Sequence, residues 1–158
     1  MPGNEHEILA DARRTLGGLE FFGKMITGEL PLPPLAALMG FRIVEIALGR
    51  SVFEADPLPA FYNGLGSVHG GFSATLLDTA LGGAVNSTTG PGRAYATVDL
   101  KVTLIRALRS EVGRVRCIAT TIQVGSRLAI AEARIVDADD RIYAHGTATC
   151  VMVETQGA

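Results

Sequence analysis

Residues 63–85 read NGLGSVHGGFSATLLDTALGGAV and carry a single formal charge, Asp78. Between Asp56 and Arg93 there is no other Lys, Arg, Asp or Glu residue. An unpaired carboxylate is costly to bury among apolar groups, so proteins normally avoid such a placement. Asp78 is therefore the first candidate for a functional residue, and the fold is best predicted by working outward from it.

The stretch from about Gly70 to Ser87 predicts one helix that is apolar on nearly every side. A helix of this kind is expected inside the protein rather than on its surface. Gly82 and Gly83 are poor helix formers. Their presence predicts close approach by another chain or by a ligand.

Four strands are predicted after this helix, over residues 94–105, 112–123, 127–137 and 141–153. The turns between the last three are too short for a crossover, so these strands must pair antiparallel. In 94–105, apolar and polar residues alternate with a period of two, which assigns Thr97 to the polar face.

Two of these strands carry rows of small residues on one face, which leaves room for a bulky element against the sheet. The rows are Ala129, Ala131 and Ala133, and then Ala144, Gly146 and Ala148. The helix that starts at Gly70 is the only predicted element apolar enough to fill the space. The sequence thus predicts an α+β fold in which an antiparallel sheet curves around one buried helix.

The first part of the chain has weaker patterns. Residues 4–27 show helical spacing that is loosened at Gly17 and Gly18. The predicted elements that follow are a short helix within PLPPLAALMG (31–40) that stops at Gly40, strands over 41–48 and 51–56, and a Pro- and Gly-rich loop over 57–68.

The composition limits the class of protein. A chain of 158 residues fits one domain with a substantial core. A net charge of -2 and a pI of about 5.9 give no basic field for nucleic acid or an anionic membrane. No apolar run reaches the ~20 residues that span a bilayer, and the polar N-terminus does not resemble a secretory signal. We expect a cytoplasmic protein that binds neither nucleic acid nor a membrane.

The cysteines and histidines do not predict a metal site. Cys117 and Cys150 stand alone without a CxxC pair, and we expect small buried thiols in a reducing compartment. The three histidines, His6, His69 and His145, are too scattered to suggest metal ligands.

Three features taken together resemble the hotdog-fold acyl-CoA thioesterases of the PaaI type. They are Asn63, the His-Gly-Gly at 69–71 and the Leu-Asp-Thr-Ala at 77–80; the later YATVDLKVTLIRAL (95–108) resembles the strand that follows the central helix in that family. The resemblance runs from about Pro33 to Val153.

The resemblance implies a hotdog fold in which a long central helix is wrapped by a curved antiparallel sheet. It implies hydrolysis of acyl-CoA thioesters without a metal or organic cofactor. It also implies a homo-oligomer, a dimer or a dimer of dimers, whose active sites lie between protomers. The chain then divides into an N-terminal helical extension, 1–32, and a hotdog thioesterase domain, 33–158.

Roles for individual residues follow from the resemblance. Asp78 is expected to be the catalytic carboxylate, as general base or as nucleophile, and the alternative is a buried structural Asp. The Gly70 N–H is expected to be the oxyanion donor, and the alternative is that Gly70 and Gly71 only form a tight turn. Asn63 is expected to hold the attacking water or the substrate, although Asn in this loop is equally a good turn former. His69 is expected beside the thioester or in a structural role, and Thr97 near the carboxylate.

Coenzyme A brings phosphates, which arginine binds through paired hydrogen bonds. Arg93, Arg106 and Arg109 are the candidates, together with Gly71 where the substrate approaches the helix start. Two other functions remain open, a dehydratase or hydratase of acyl thioesters and a non-catalytic acyl-CoA-binding or sensing protein.

Overall fold

The computed structural model describes residues 4–155, in which a six-stranded antiparallel sheet surrounds one long helix. The helices are α1 (Glu5–Thr15), α2 (Gly18–Ile26), α3 (Pro34–Met39) and α4 (Gly70–Asn86). The strands are β1 (Arg42–Ala47), β2 (Arg50–Ala55), β3 (Arg93–Leu104), β4 (Val115–Val124), β5 (Leu128–Val136) and β6 (Ile142–Glu154). The predicted α+β arrangement is confirmed.

The strands lie in the order β1-β2-β4-β5-β6-β3, and each neighbouring pair is antiparallel. Strand β3 therefore forms one edge of the sheet, where it pairs with β6. Because β3 follows α4 in the chain, the helix is connected directly to an edge strand of 12 residues.

Helix α4 is the centre of the core. Leu76, Leu77 and Leu81 are fully buried, and the helix contacts all six strands. The predicted rows of small residues face it. At Gly146 a Cβ atom would lie 3.2 Å from the Leu77 side chain, so the small residues of β5 and β6 leave the space that α4 occupies.

The prediction that Gly82 and Gly83 admit another chain or a ligand is wrong. Both face side chains of the same chain: a Cβ on Gly82 would overlap the hydroxyl of Tyr95, and one on Gly83 would lie 3.0 Å from the ring of Phe53. These glycines let the β2 and β3 side chains pack directly on the helix backbone, which the sequence pattern alone does not reveal.

The helical pattern over residues 4–27 becomes two helices that break at Leu16 and Gly17, where the backbone is extended. The Gly18 N–H donates a 2.9 Å hydrogen bond to the Thr89 carbonyl oxygen, which ties the start of α2 to the chain just after α4. Phe21 and Met25 of α2 are buried in the common core. The division into 1–32 and 33–158 stays a prediction.

Strand β3 contains a β-bulge that interrupts the predicted alternation. Thr97 pairs with Cys150 and Asp99 pairs with Thr149, so Val98 is the extra residue. Val98 is 58% exposed. The expectation that Thr97 belongs to a uniform polar face is therefore wrong, because the bulge allows Thr97 to point toward α4.

Within residues 4–155, the structure has no helix that is both long and apolar enough to cross a membrane.

Candidate active site

The Asp78 carboxylate is held from the neighbouring strand. Asp78 lies in the middle of α4 and is the only charged residue of that helix. Its Oδ1 accepts a 2.9 Å hydrogen bond from the Thr97 hydroxyl of β3. A carboxylate has about four lone-pair sites, so one hydrogen bond leaves Asp78 with most of its capacity to accept a proton or bind water.

Asp78 faces a mostly apolar pocket of about 180 Å³ between α4 and the N-terminal helices. The lining residues are Arg13, Phe22, Met25, Leu32, Pro33, Leu35, Ala36, Phe53, Asp78, Thr79 and Tyr95. The N-terminal segment thus contributes one wall of the pocket beside the carboxylate. An apolar space with a few polar groups is the usual character of a small-molecule site.

Two polar side chains in this pocket were not singled out by the sequence patterns. Burial raises the pKa of Tyr95 to about 12; the Arg13 charge acts to lower it, and the nearby Asp78 carboxylate acts to raise it. The Tyr95 phenol is therefore protonated at neutral pH and can donate a hydrogen bond. The second is Arg13, which arrives from α1 and whose Nη1 donates to Asn86 Oδ1 at 2.9 Å.

The His-Gly-Gly segment forms the N-terminus of α4. His69 is the N-cap, and its Nδ1 accepts a 2.9 Å hydrogen bond from the Gly71 N–H. The Phe72 N–H donates to the His69 carbonyl oxygen. His69 thus has a structural role in capping the helix, and the cap occupies the N–H of Gly71.

The Gly70 N–H has no acceptor among residues 4–155. It lies at the positive end of the helix dipole, where unpaired N–H groups favour anions. A Cβ at this position would lie 2.6 Å from Leu104 Cδ1. Leu104 is a flexible and exposed side chain, so a Cβ at position 70 would displace only its end. The free N–H is what distinguishes Gly70 from Gly71.

Asn63 organises its own loop. Its Oδ1 accepts hydrogen bonds from the N–H groups of Leu65 at 2.8 Å and Ser67 at 3.3 Å, and its Nδ2 donates to the Ser67 hydroxyl at 3.3 Å. The turn-forming interpretation of Asn63 is thus seen directly. Asn63 also lines a shallow pocket together with Gly70 and Arg106.

In one chain the predicted site residues fall into two groups. Asp78 and Thr97 lie at one pocket, and Gly70 and Asn63 line another. Eight residues separate Gly70 from Asp78 on the same helix, which corresponds to about 12 Å of rise. One thioester group cannot contact both within a single protomer.

The three candidate arginines do not converge in one chain. Arg106 lines the pocket of Gly70, and its Nη1 donates to the Ile142 carbonyl oxygen at 2.8 Å. Arg109 lines a separate surface near Asp137. Arg93 begins β3 and donates to the Ser126 carbonyl oxygen at 3.0 Å, so it is near the opposite end of the strand from Arg106.

Among residues 4–155, no group of three or more His, Cys, Asp or Glu side chains is placed to hold a metal ion.

The chain belongs to the thioesterase superfamily, whose family model matches residues 65–144. The matched region contains all of α4 with Asp78, strands β3, β4 and β5, and the first residues of β6. Membership of this superfamily agrees with the enzyme class predicted from the sequence.

Known proteins agree with this assignment. A Halobacterium salinarum protein named "Putative esterase" is 40% identical over 90 residues, which cover 56% of this chain and 58% of that protein. A phenylacetic acid degradation-related protein of Ralstonia eutropha is 26% identical, with a TM-score of 0.75, and covers 82% of this chain and 98% of its own. The PaaI protein of Escherichia coli has the same fold, with 20% identity and a TM-score of 0.74 over 84% of this chain and 93% of its own.

These similarities confirm the predicted hotdog fold and the relationship to PaaI-type thioesterases.

Proposed function

We propose that the protein hydrolyses acyl-CoA thioesters to a free acid and coenzyme A. The observation that supports this most strongly is that Asp78, the single charge of a buried helix, lines a mostly apolar pocket and has a hydrogen bond only from Thr97 among residues 4–155. A structural carboxylate would be expected to pair with Arg, Lys or several N–H groups, and none of these lies within bonding distance of Asp78 among residues 4–155.

In the proposed reaction the acyl chain lies in the pocket beside Asp78. The carboxylate accepts a proton from a water molecule as that water attacks the thioester carbonyl carbon. The C–S bond then breaks, and the thiolate of coenzyme A leaves and takes up a proton. The alternative is direct attack by Asp78 to form a mixed anhydride that water cleaves; the expected loss on mutation is similar for both routes.

The oxyanion of the tetrahedral intermediate needs a donor, and the Gly70 N–H is suited to this role because it is unpaired at a helix N-terminus. Because Gly70 and Asp78 of one chain are about 12 Å apart along α4, the donor would come from a second protomer. The proposed active site is therefore shared between two copies of the chain.

The edge strand β3 offers a surface for such pairing. It is 12 residues long, and Val98, Leu104 and Ile105 along it or just beyond it are about half exposed. A long edge with exposed apolar side chains is normally covered in the native assembly. We propose a homo-oligomer that pairs along this edge, in which Arg106 beside the Gly70 pocket is the best-supported ligand for the phosphates of coenzyme A.

The decisive test is thiol release from a panel of acyl-CoAs, measured on wild type, Asp78→Asn and Asp140→Asn. Asp140 is an exposed carboxylate of the turn between β5 and β6 and serves as the matched control. We expect Asp78→Asn to lower turnover by about 10²–10⁴-fold, the usual contribution of a general base, while Asp140→Asn keeps the wild-type rate. Equal rates in all three proteins would remove Asp78 from the mechanism.

A second comparison isolates the Gly70 N–H. Gly70→Ala and Gly70→Pro both place a Cβ against Leu104, but only proline removes the N–H, and proline is tolerated at the first position of a helix. We expect the turnover of Gly70→Pro to be about 10²-fold lower than that of Gly70→Ala. Equal rates in the two variants would locate the oxyanion donor elsewhere.

The same assays separate the other functions. Hydration of crotonyl-CoA without thiol release would identify a hydratase. Acyl-CoA binding without either reaction would identify a binding or sensing protein. A monomer by light scattering at micromolar concentration would contradict the shared site.

A further inference from the structure

The pocket beside Asp78 contains a cation without an anionic partner. Arg13 has no Asp or Glu oxygen within 4.0 Å among residues 4–155, and its one side-chain hydrogen bond goes to the neutral amide of Asn86. The guanidinium has five N–H donors. Most of its hydrogen-bonding capacity is therefore available to another group.

The surroundings of Arg13 are largely apolar. The guanidinium carbon lies 4.4 Å from the centroid of the Phe21 ring, and Phe22 and Met25 line the same pocket. Burial lowers the pKa of Arg13, which is the sign of a cation that has lost water without gaining a carboxylate. A partly buried charge in this position is costly unless a ligand of opposite charge compensates it.

Tyr95 adds a second donor. Its hydroxyl packs against Gly82, one helical turn beyond Asp78, and has no side-chain hydrogen bond among the described residues, whereas Tyr62 bonds Ser110 at 2.9 Å. Among the described residues that line the pocket, Asp78 is the only one with an acidic side chain. Arg13 and Tyr95 thus present donors to whatever enters the pocket.

Resting on the proposed thioesterase function, we infer that the acyl group of the substrate ends in a carboxylate, which Arg13 and Tyr95 bind in the pocket beside Asp78. The substrate class is the mono-CoA thioester of a dicarboxylic acid. Arg13 and Tyr95 are specificity-determining residues, and the N-terminal helix α1 is the element that supplies the selectivity.

The spacing along α4 gives an approximate length for this acyl group. Asn86, to which Arg13 is bound, lies eight residues after Asp78, which is about 12 Å of helical rise. A contact of about 3 Å at each end leaves about 6 Å for the chain between the thioester carbon and the carboxylate. Adipyl-CoA fits this span, with four methylene groups between its two carbonyl carbons.

The test compares the catalytic efficiency, kcat/KM, for adipyl-CoA, hexanoyl-CoA and 6-hydroxyhexanoyl-CoA, which share one chain length. Wild type, Arg13→Met, Arg13→Lys and Tyr95→Phe are assayed, with uncatalysed hydrolysis subtracted. A charge-assisted hydrogen bond is worth enough to change binding by about 10- to 100-fold. We expect wild type to prefer adipyl-CoA over hexanoyl-CoA, and we expect Arg13→Met to reduce the ratio of the two efficiencies by this factor.

Two further results separate specificity from structure. Arg13→Lys keeps the charge and is expected to restore part of the preference, and Tyr95→Phe is expected to reduce it by a smaller factor. If wild type hydrolyses hexanoyl-CoA or the hydroxylated substrate at least as well as adipyl-CoA, the inference is overturned while the proposed thioesterase function stands. A loss in Arg13→Met that is equal for all three substrates overturns it as well, because Arg13 would then only anchor α1.

If none of the thioesters is hydrolysed, the affinities of the same proteins for adipyl-CoA and hexanoyl-CoA are measured by calorimetry. Tighter binding of adipyl-CoA that is lost in Arg13→Met would retain the carboxylate site and reject the thioesterase. Equal affinity for the two ligands would reject the carboxylate site.

Discussion

Gly18 and Gly23 lie in the same helix, yet the same substitution should change stability in opposite directions. A Cβ on Gly18 would overlap the backbone carbonyl of Asn86, whereas a Cβ on Gly23 would meet nothing within 4 Å. A backbone carbonyl cannot avoid the Cβ by changing rotamer, as a flexible side chain can. Gly18→Ala must therefore push the start of α2 away from the end of α4.

The magnitude follows from two contributions. Overpacking a well-packed contact costs about 1–3 kcal/mol, and the displacement also weakens the Gly18 N–H hydrogen bond to Thr89, worth about 0.5–1.5 kcal/mol. We expect Gly18→Ala to lower the free energy of unfolding by about 2–4 kcal/mol. Gly23→Ala should raise it by about 0.5–1 kcal/mol, because glycine in a helix interior is less favourable than alanine by that amount.

Urea unfolding followed by circular dichroism at one fixed protein concentration measures both changes. With a denaturant slope of about 1–3 kcal/mol/M, the midpoint of Gly18→Ala should fall by about 1 M or more. If Gly18→Ala is as stable as Gly23→Ala, then α2 does not dock against the end of α4 in solution. The pocket wall that Phe22 and Met25 contribute would then be in doubt as well.

Three further results are expected. Thr97→Val removes the hydroxyl that donates to Asp78, and since hydrogen bonds to charged groups are worth about 1.5–3 kcal/mol, turnover should fall about tenfold or more; an unchanged rate would show that Asp78 needs no such support. At Asp137, burial acts to raise the pKa of the carboxyl group, but backbone and side-chain hydrogen bonds outweigh burial, so the pKa is lowered. The melting temperature of Asp137→Asn should therefore be lower than that of wild type at pH 7. The difference between the two melting temperatures should narrow as pH falls below 3.8, the usual pKa of this group. Burial raises the pKa of the thiols of Cys117 and Cys150, so neither should react with Ellman's reagent at pH 8 until the protein is unfolded; rapid reaction of the folded protein would contradict their burial.

Local patterns were sufficient to predict most of the fold. The helix at Gly70 and the hairpins after it follow from short-range periodicity and turn length, and the isolated charge of Asp78 marked the residue around which the pocket is built. The pocket itself was not predictable in this way. Arg13 reaches it from a position 73 residues before Asn86 in the chain, and no local pattern of α1 distinguishes Arg13 from Arg14, its neighbour on the outer side.

The bulge in β3 allows residues of one strand to line both pockets. It also explains why the alternation rule fails in this strand. A strand of strict period two that placed Leu104 against Gly70 would turn Thr97 away from α4. The extra residue, Val98, reverses the alternation, so that Tyr95 and Thr97 face Asp78 while Leu104 still packs on the helix start. Because Val98 has the residue type of an ordinary strand position, the sequence predicts a continuous strand there. The hydrogen bond from Thr97 to Asp78 thus depends on a backbone irregularity that tertiary packing, rather than local sequence, selects.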